Sequence, residues 1–221
     1  MKSVVVTIDG PAGAGKTTVS RKLAESLGYR YVDTGALYRA VALAAIEAGV
    51  LPEDETGLQT LCVGLKLNYV ISGNGTRLLL NGTDITDDIR TPEIAMMASA
   101  VSARPVVREF LLGIQKQMGK DKAAVFEGRD MGTVVFPEAE IKFFLDASIK
   151  IRALRRFQEL GAKGHQRLEE VEQDMAHRDK NDSNRRIAPL KCAADAVYID
   201  STEMTASDVV AKMKKIIDEK I

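Results

Sequence analysis

The chain has 221 residues, enough to bury a sizeable core as one large domain or as a core with small appendages. Lys and Arg number 31 and Asp and Glu number 31, so the formal charge is zero. That balance argues against general nucleic-acid binding, though not against a local basic pocket. No run of 18 apolar residues marks a membrane span, and the start of the chain lacks the pattern of a signal peptide. Two distant cysteines, Cys62 and Cys192, promise neither a zinc site nor a disulfide, and a cytoplasmic protein is expected.

The first elements come in VVVTIDGPAGAGKTTVSRKLAESLG. Residues 4–8 read as a buried, mostly β-branched strand, and residues 17–27 as a helix with Val19, Leu23, Ala24 and Leu27 on one face. The intervening loop fits GxxxxGK[ST] at Gly10, Gly15, Lys16 and Thr17, in the strand–loop–helix setting that motif requires. In such a loop the backbone N–H groups and the helix N-terminus face an anion. Lys16 would then reach the β- and γ-phosphates of a nucleoside triphosphate, and the Thr17 hydroxyl would hold Mg²⁺.

A short strand at Tyr31 and Val32 ends at Asp33, and a helix over 35–48 follows. LKLNYVISGNGTRLLLNG carries two strand-like runs around Gly73-Asn74-Gly75, a hairpin signal that marks an insert with its own small antiparallel sheet. Thr91 and Pro92 open a helix toward Val101, and Pro105 opens another toward Met118. Strands are expected at 123–126, 141–145 and 197–199, ending at Glu127, Asp146 and Asp200, with helices at 149–160 and 167–177 between the last two. Strands that alternate with helices and end in acids predict a parallel sheet with ligands across its C-terminal edge. Thr205 and Asp208 form a capping box for the last helix.

Three arginine clusters stand out. DTGALYR holds Asp33, Thr34, Tyr38 and Arg39 at a strand end and helix start. FEGRDMG holds Glu127, Arg129 and Asp130, with Gly128 and Gly132 about them, which suggests a tight, exposed turn. HRDKNDSNRR holds Arg178, Asp179, Asp182, Arg185 and Arg186, with Arg178 and Arg185 on one face if the helix continues. Phosphoryl transfer needs positioning and charge neutralisation more than covalent help, and the planar guanidinium suits both. A kinase acting on an anionic acceptor fits these features, with Glu127 holding Mg²⁺ through water.

At these residues the chain resembles the bacterial cytidylate kinases, (d)CMP kinases of the nucleoside monophosphate kinase family. The matching segments are TIDGPAGAGKTT, DTGALYRA, IRTPEIA, EGRDMGTVVFPEAEIKFFLDAS, RDKNDSNRRIAPL and AADAVYIDST, spread over nearly the whole chain. GRDMGTVVFP and RDxxDSxR…APL are far more specific than the P-loop, and the hairpin resembles the insert of the long bacterial form. The resemblance implies a P-loop kinase fold: a five-stranded parallel sheet flanked by helices, with a small antiparallel insert. It implies a single kinase domain, with a monophosphate-binding part over 36–102 that includes the insert near 60–90, and a short lid over 157–168. It implies transfer of the γ-phosphate of ATP to CMP or dCMP with Mg²⁺; a monomer is expected, and composition and hydropathy point to neither nucleic acid nor membrane as a partner.

Carried over residue by residue, the resemblance places the ATP phosphates on Gly10, Pro11, Ala12, Gly13, Ala14 and Gly15, continuing through Lys16, Thr17 and Thr18. Thr34, Tyr38 and Arg39 would lie at the CMP phosphate and base pocket. Ser99, Arg108, Arg129 and Asp130 would face the cytosine and its surroundings. Arg178 and Asp182 would reach the ribose and Arg185 the phosphates, so that Lys16, Arg129, Arg178 and Arg185 form the catalytic set. Glu127 stands where some relatives have Asp, and Thr34 where others have Ser, and both keep the needed group. A kinase for a sugar or a shikimate-like acid would need neither the insert nor the GRDMG segment. A GTP switch would need an NKxD motif after a late strand, and the KND at 180–182 is out of order.

Overall fold

The computed structural model describes residues 3–72, 75–161 and 167–221. They form two compact units, Met1–Val32 with Asp121–Ile221, and Asp33–Lys120.

The first unit is built on a parallel sheet. Its strands are β1 (Val5–Asp9), β2 (Arg30–Asp33), β6 (Ala124–Gly128), β7 (Ile141–Asp146) and β8 (Val197–Asp200), in the order β2-β6-β1-β7-β8. β1 is central, pairing parallel with β6 (Ile8 opposite Glu127) and with β7 (Ile8 opposite Phe143). Both β1 and β6 are buried along their whole length, which is why each reads as a continuous apolar run without alternation. The register brings Asp9, Gly128 and Asp146 to one edge.

Helix α1 (Lys16–Leu27) lays Val19, Leu23 and Ala24 against the sheet, and α8 (Ala206–Lys220) adds Val209, Met213 and Ile217 to the same core. Each of the larger side chains among these stabilises the fold by about 1.5–3 kcal/mol. The Thr205–Asp208 capping box on α8 forms as expected. Helices α6 (Ile149–Leu160) and α7 (Leu168–Ser183) pack together through Ala153, Val171 and Met175. α7 runs six residues past the expected end at 177, yet stops before Arg185. The shared-face argument for Arg178 and Arg185 therefore does not apply.

In the second unit, α2 (Thr34–Glu47) is the hub. Its small residues Ala36, Ala40, Ala44 and Ala45 are buried, letting α4 (Pro92–Val101) and α5 (Pro105–Gly119) pack closely on it. Thr91 caps α4 as expected. The insert is a sheet in the order β3-β4-β5: β3 (Leu67–Ser72) pairs antiparallel with β4 (Gly75–Leu80), which pairs with β5 (Thr83–Asp84). The Gly73-Asn74 turn lies outside the described residues.

Helix α3 (Glu55–Gly64) was not anticipated. Asp54 caps it by accepting the Gly57 N–H, and Leu58 and Cys62, one turn apart, bury its inner side. The segment 105–121 leads back into the first unit. There the Arg30 N–H donates to the Ala123 carbonyl at 2.9 Å, so the chain leaves the sheet and returns to it at neighbouring points. No helix among the described residues is long and apolar enough to cross a membrane.

Candidate active site

The loop after β1 owes its shape to glycine. Gly10, Gly13 and Gly15 have φ of 149°, 73° and 88°, a region that disfavours a Cβ. At Gly10 a Cβ would also sit 1.9 Å from the Leu145 carbonyl oxygen. Side chains engage the loop carbonyls. Lys16 donates to Pro11 at 2.7 Å, Arg152 to Ala12 at 3.0 Å, and Arg155 to Ala14 at 3.4 Å. The backbone N–H groups of a Gly-rich loop of this kind are the donors suited to an anion. α1 begins at Lys16, after Gly15, with no side-chain cap and no acid of its own in its first turn, so its end offers a partial positive charge to an anion. Beside Gly13, Gly15 and Thr18 opens a cavity of about 510 Å³ that also reaches Arg155, Ser201 and Val209.

Thr17 and Glu127 meet at the strand edge. The Thr17 hydroxyl donates to Glu127 Oε1 at 2.9 Å, and the Tyr31 hydroxyl donates to the same oxygen at 2.5 Å. The Arg21 guanidinium lies 5.2 Å from the centre of the Tyr31 ring. Lys16 is buried. Burial pulls its ammonium down to about 7, with Arg129 pushing the same way and Glu127 and Asp9 opposing.

The EGRDMG segment is neither exposed nor a simple turn. Glu127, Gly128, Asp130, Met131 and Gly132 are buried, and Met131–Val135 winds into a π-helical turn. The correction follows from Asp9, whose carboxylate accepts the Met131 N–H at 2.9 Å and the Gly132 N–H at 2.7 Å. Two amide donors satisfied from another strand can be buried, whereas a turn left to cap itself would stay at the surface. Burial pushes the Asp9 carboxyl up to about 6, against these two bonds.

Arg129 Nε donates to Asp182 Oδ2 at 3.0 Å, and Arg185 reaches the other oxygen, Oδ1. Arg185 thus joins the cluster from beyond the helix end. Burial raises the Asp182 pKa, but Arg129 and Arg185 outweigh it and hold the carboxyl below its ordinary value. Arg178 is close enough to influence the charges of both Asp182 and Lys16. Alongside, Arg152 bridges Asp179 at 2.5 Å, the Ala147 carbonyl at 2.8 Å and the loop carbonyl of Ala12, linking α6, α7 and the P-loop.

In the unit of residues 33–120, Thr34 is buried at the start of α2, with Tyr38 and Arg39 half-buried one turn later. Arg108 lies 5.6 Å from the centre of the Tyr38 ring and donates to the Ser102 carbonyl at 3.1 Å. The Ser102 hydroxyl in turn donates to the Ser99 carbonyl at 2.8 Å, so Tyr38, Ser99 and Arg108 belong to one neighbourhood. The expected lid at 157–168 begins on the last turn of α6 and ends at the first residue of α7, and its residues 162–166 lie outside the described residues.

Comparison with known proteins agrees with this arrangement. The family model described as Cytidylate kinase matches residues 6–219. The chain belongs to the cytidylate kinase family. A cytidylate kinase from Geobacter sulfurreducens is 47% identical over 220 residues, covering 99% of this chain and 94% of its own. One from Halalkalibacterium halodurans is 43% identical over 222 residues, covering all of both chains. A crystal structure of an uncharacterised protein from Eubacterium ventriosum shares the fold, with a TM-score of 0.55 at 15% identity over 99% of each chain.

For a cytidylate kinase, the sequence pattern left out Asp9, Tyr31, Arg152 and Arg155. Arg152 and Arg155, three apart on α6, carried a signal in their spacing, since both would face one side of a helix. Asp9 and Tyr31 carried none, because their partners lie some hundred residues away.

The residues present fit a magnesium–triphosphate complex. The uncapped α1 terminus and the glycine loop accept an anion, and the Thr17–Glu127 pair offers hard oxygen donors suited to Mg²⁺. Among the described residues no group of three or more His, Cys, Asp or Glu is placed to hold a metal. Mg²⁺ typically needs only one or two protein oxygens beside the phosphates.

Proposed function

We propose that this enzyme transfers the γ-phosphate of ATP to CMP or dCMP, giving ADP and CDP or dCDP. One observation carries it: the P-loop, the Thr17–Glu127 pair and the Arg129–Asp182–Arg185 cluster sit on one unit of a chain that matches the cytidylate kinase model almost end to end.

The N–H groups of the loop from Gly10 to the start of α1, with Lys16 and Thr18, grip the triphosphate. Lys16 exchanges the Pro11 carbonyl for phosphate oxygens and holds positive charge on the transferring group. Thr17 and, through water, Glu127 hold Mg²⁺. A metal held there would supply neutralising charge to the phosphates. Arg129, Arg178 and Arg185 take up charge as it develops on the transferring group, and their planar forks keep the geometry in line. The unit of residues 33–120 contributes Thr34, Tyr38, Arg39, Ser99 and Arg108 to the monophosphate, its base included. Asp130 accepts from the cytosine amino group with Arg129 also facing the acceptor, and Asp182 with Arg178 engages the ribose. The monophosphate-binding part is assigned to 36–102, the insert included, and a short lid to 157–168. The enzyme is taken as a cytoplasmic monomer acting on small molecules and not on nucleic acid, the last in keeping with its balanced charge.

A coupled ADP-release assay with CMP, dCMP, UMP and AMP tests this. Turnover is expected with CMP and dCMP, weaker with UMP, and weakest with AMP. Equal turnover of none, as a sugar kinase or a switch would give, overturns it.

A further inference from the structure

Asp9 is the last residue of β1 and directly precedes Gly10, where the P-loop begins. It is buried, and its carboxylate spends its two oxygens on backbone donors of a different segment: Met131 N–H at 2.9 Å and Gly132 N–H at 2.7 Å. These are the first amides of the π-turn Met131–Val135. The residue in the capping position of that turn is Asp130, with φ −145° and ψ 21°, and its side chain makes no cap hydrogen bond. The cap is thus supplied from another strand, and Asp130 is relieved of it.

Two further contacts fix the segment. Gly132 fits so tightly that a Cβ there would lie 3.0 Å from Thr7 Oγ1, 3.2 Å from Lys142 Cδ and 3.4 Å from Asp9 Oδ2. Beyond the turn, buried Lys142 on β7 donates to the Pro137 carbonyl and pairs with Asp195 at 2.8 Å. The stretch after Arg129 and Asp130 is thus held at its start from β1 and past its end from β7.

We infer that Asp9 is a positioning residue for acceptor recognition: its backbone starts the loop that grips the phosphoryl donor, and its side chain sets where Arg129 and Asp130 stand. A buried carboxylate is costly, and a pair of short charge-assisted bonds to backbone makes it a stiff link. An asparagine keeps the shape but offers one acceptor, and its amide group then faces an N–H donor. The turn would shift by the loss of one bond while the P-loop backbone, fixed by its glycines and by Arg152, stays in place. This inference rests on the assignment of Arg129 and Asp130 to the acceptor.

The test is the Asp9→Asn variant, assayed beside wild type with CMP and UMP, together with titration of a non-hydrolysable ATP analogue in the absence of acceptor. The KM for CMP is expected to rise about tenfold, as for a misplaced hydrogen-bonding group, and the CMP-over-UMP ratio in kcat/KM to narrow. Because the Asp9 carboxylate also supports the charge of Lys16, the analogue's Kd should rise as well, but by clearly less than the KM for CMP. A Kd that rises as much as the KM for CMP would place Asp9 in the P-loop instead. An unchanged KM and ratio in a folded variant would leave it a purely structural residue. Should Asp9→Asn fail to fold, Gly132→Ala presses on the same contact without removing a charge, and the same split or its absence decides. Wild type that does not turn over CMP at all would refute the proposed activity, a result separate from any of these.

Discussion

The P-loop and the arginine cluster both handle phosphate charge, yet they are made in opposite ways. The P-loop is made of backbone: its glycines fix the shape, its carbonyls are engaged by Lys16, Arg152 and Arg155, and α1 starts uncapped. The cluster is made of side chains, and its cations are already matched by acids, Arg129 and Arg185 by Asp182 and Arg152 by Asp179. A backbone site is preorganised, with little to rearrange when its ligand arrives. A paired site must exchange a carboxylate for a phosphate, so its strength depends on what the ligand adds beyond the pair it replaces.

The largest effect should come from the lysine of the backbone site. Lys16→Ala is expected to lower kcat by about a hundred- to a thousandfold, the value of one preorganised charge at a developing anion. Its far-ultraviolet circular dichroism should be unchanged, since α1 keeps Val19, Leu23 and Ala24 in the core. A variant close to wild type in rate would break the contrast at its stronger end.

Asp130→Ala comes next. It should lower kcat/KM for CMP by roughly ten- to a hundredfold and narrow the preference over UMP, because uracil offers an acceptor where cytosine offers an amino donor. Equal loss on both bases would make Asp130 a structural residue and shift base reading to Ser99 and Arg108.

The paired character of the cluster is sharpened by acid. Asp182 titrates below its ordinary range, so its pairing stabilises the fold above that range and is lost as pH falls through the folded value. Thermal melts between pH 5 and 3 should therefore fall more steeply for wild type than for Asp182→Asn, by about 2–4 °C for each kcal/mol the pairing contributes. Parallel acid slopes would mean the pairs stabilise nothing.

The smallest signal is a proton. With burial holding Lys16 near 7, the free enzyme carries it mostly neutral at pH 8, and a bound triphosphate restores the ammonium. Calorimetry of nucleotide binding at pH 8, in buffers of different ionisation enthalpy, should register an uptake approaching one proton. Lys16→Met should register none, and the difference between the two proteins should shrink toward pH 6.

Legibility in the sequence followed the same division. The strand–loop–helix of residues 5–27, the capping residues Thr91 and Thr205 and the antiparallel strands of the insert announce themselves because their causes are local: periodicity, caps and glycines. Helix α3 has its cap at Asp54, but Gly57 and Gly64 obscured its period. What stayed hidden was set by partners far along the chain. The EGRDMG segment looks like a surface turn by composition, and only Asp9 makes its burial tolerable. Arg185 looks like a helix neighbour of Arg178, yet the helix ends and Asp182 gathers Arg185 from outside. Tyr31 reads as a strand residue, and nothing in its surroundings points to Glu127.

The hydrogen bond from Arg30 to Ala123 also bears on how the chain finds its structure. Central strand β1 must pair with β6 across the whole stretch that forms the second unit, a contact of high sequence separation. Closing such a loop costs entropy that grows as about 0.6 kcal/mol per doubling of its length. A segment that collapses first on its own core, around α2, shortens the effective loop before β6 arrives. By this entropy argument, early structure in residues 33–120 lowers the cost of completing the nucleotide-gripping edge, which needs β1 beside β6.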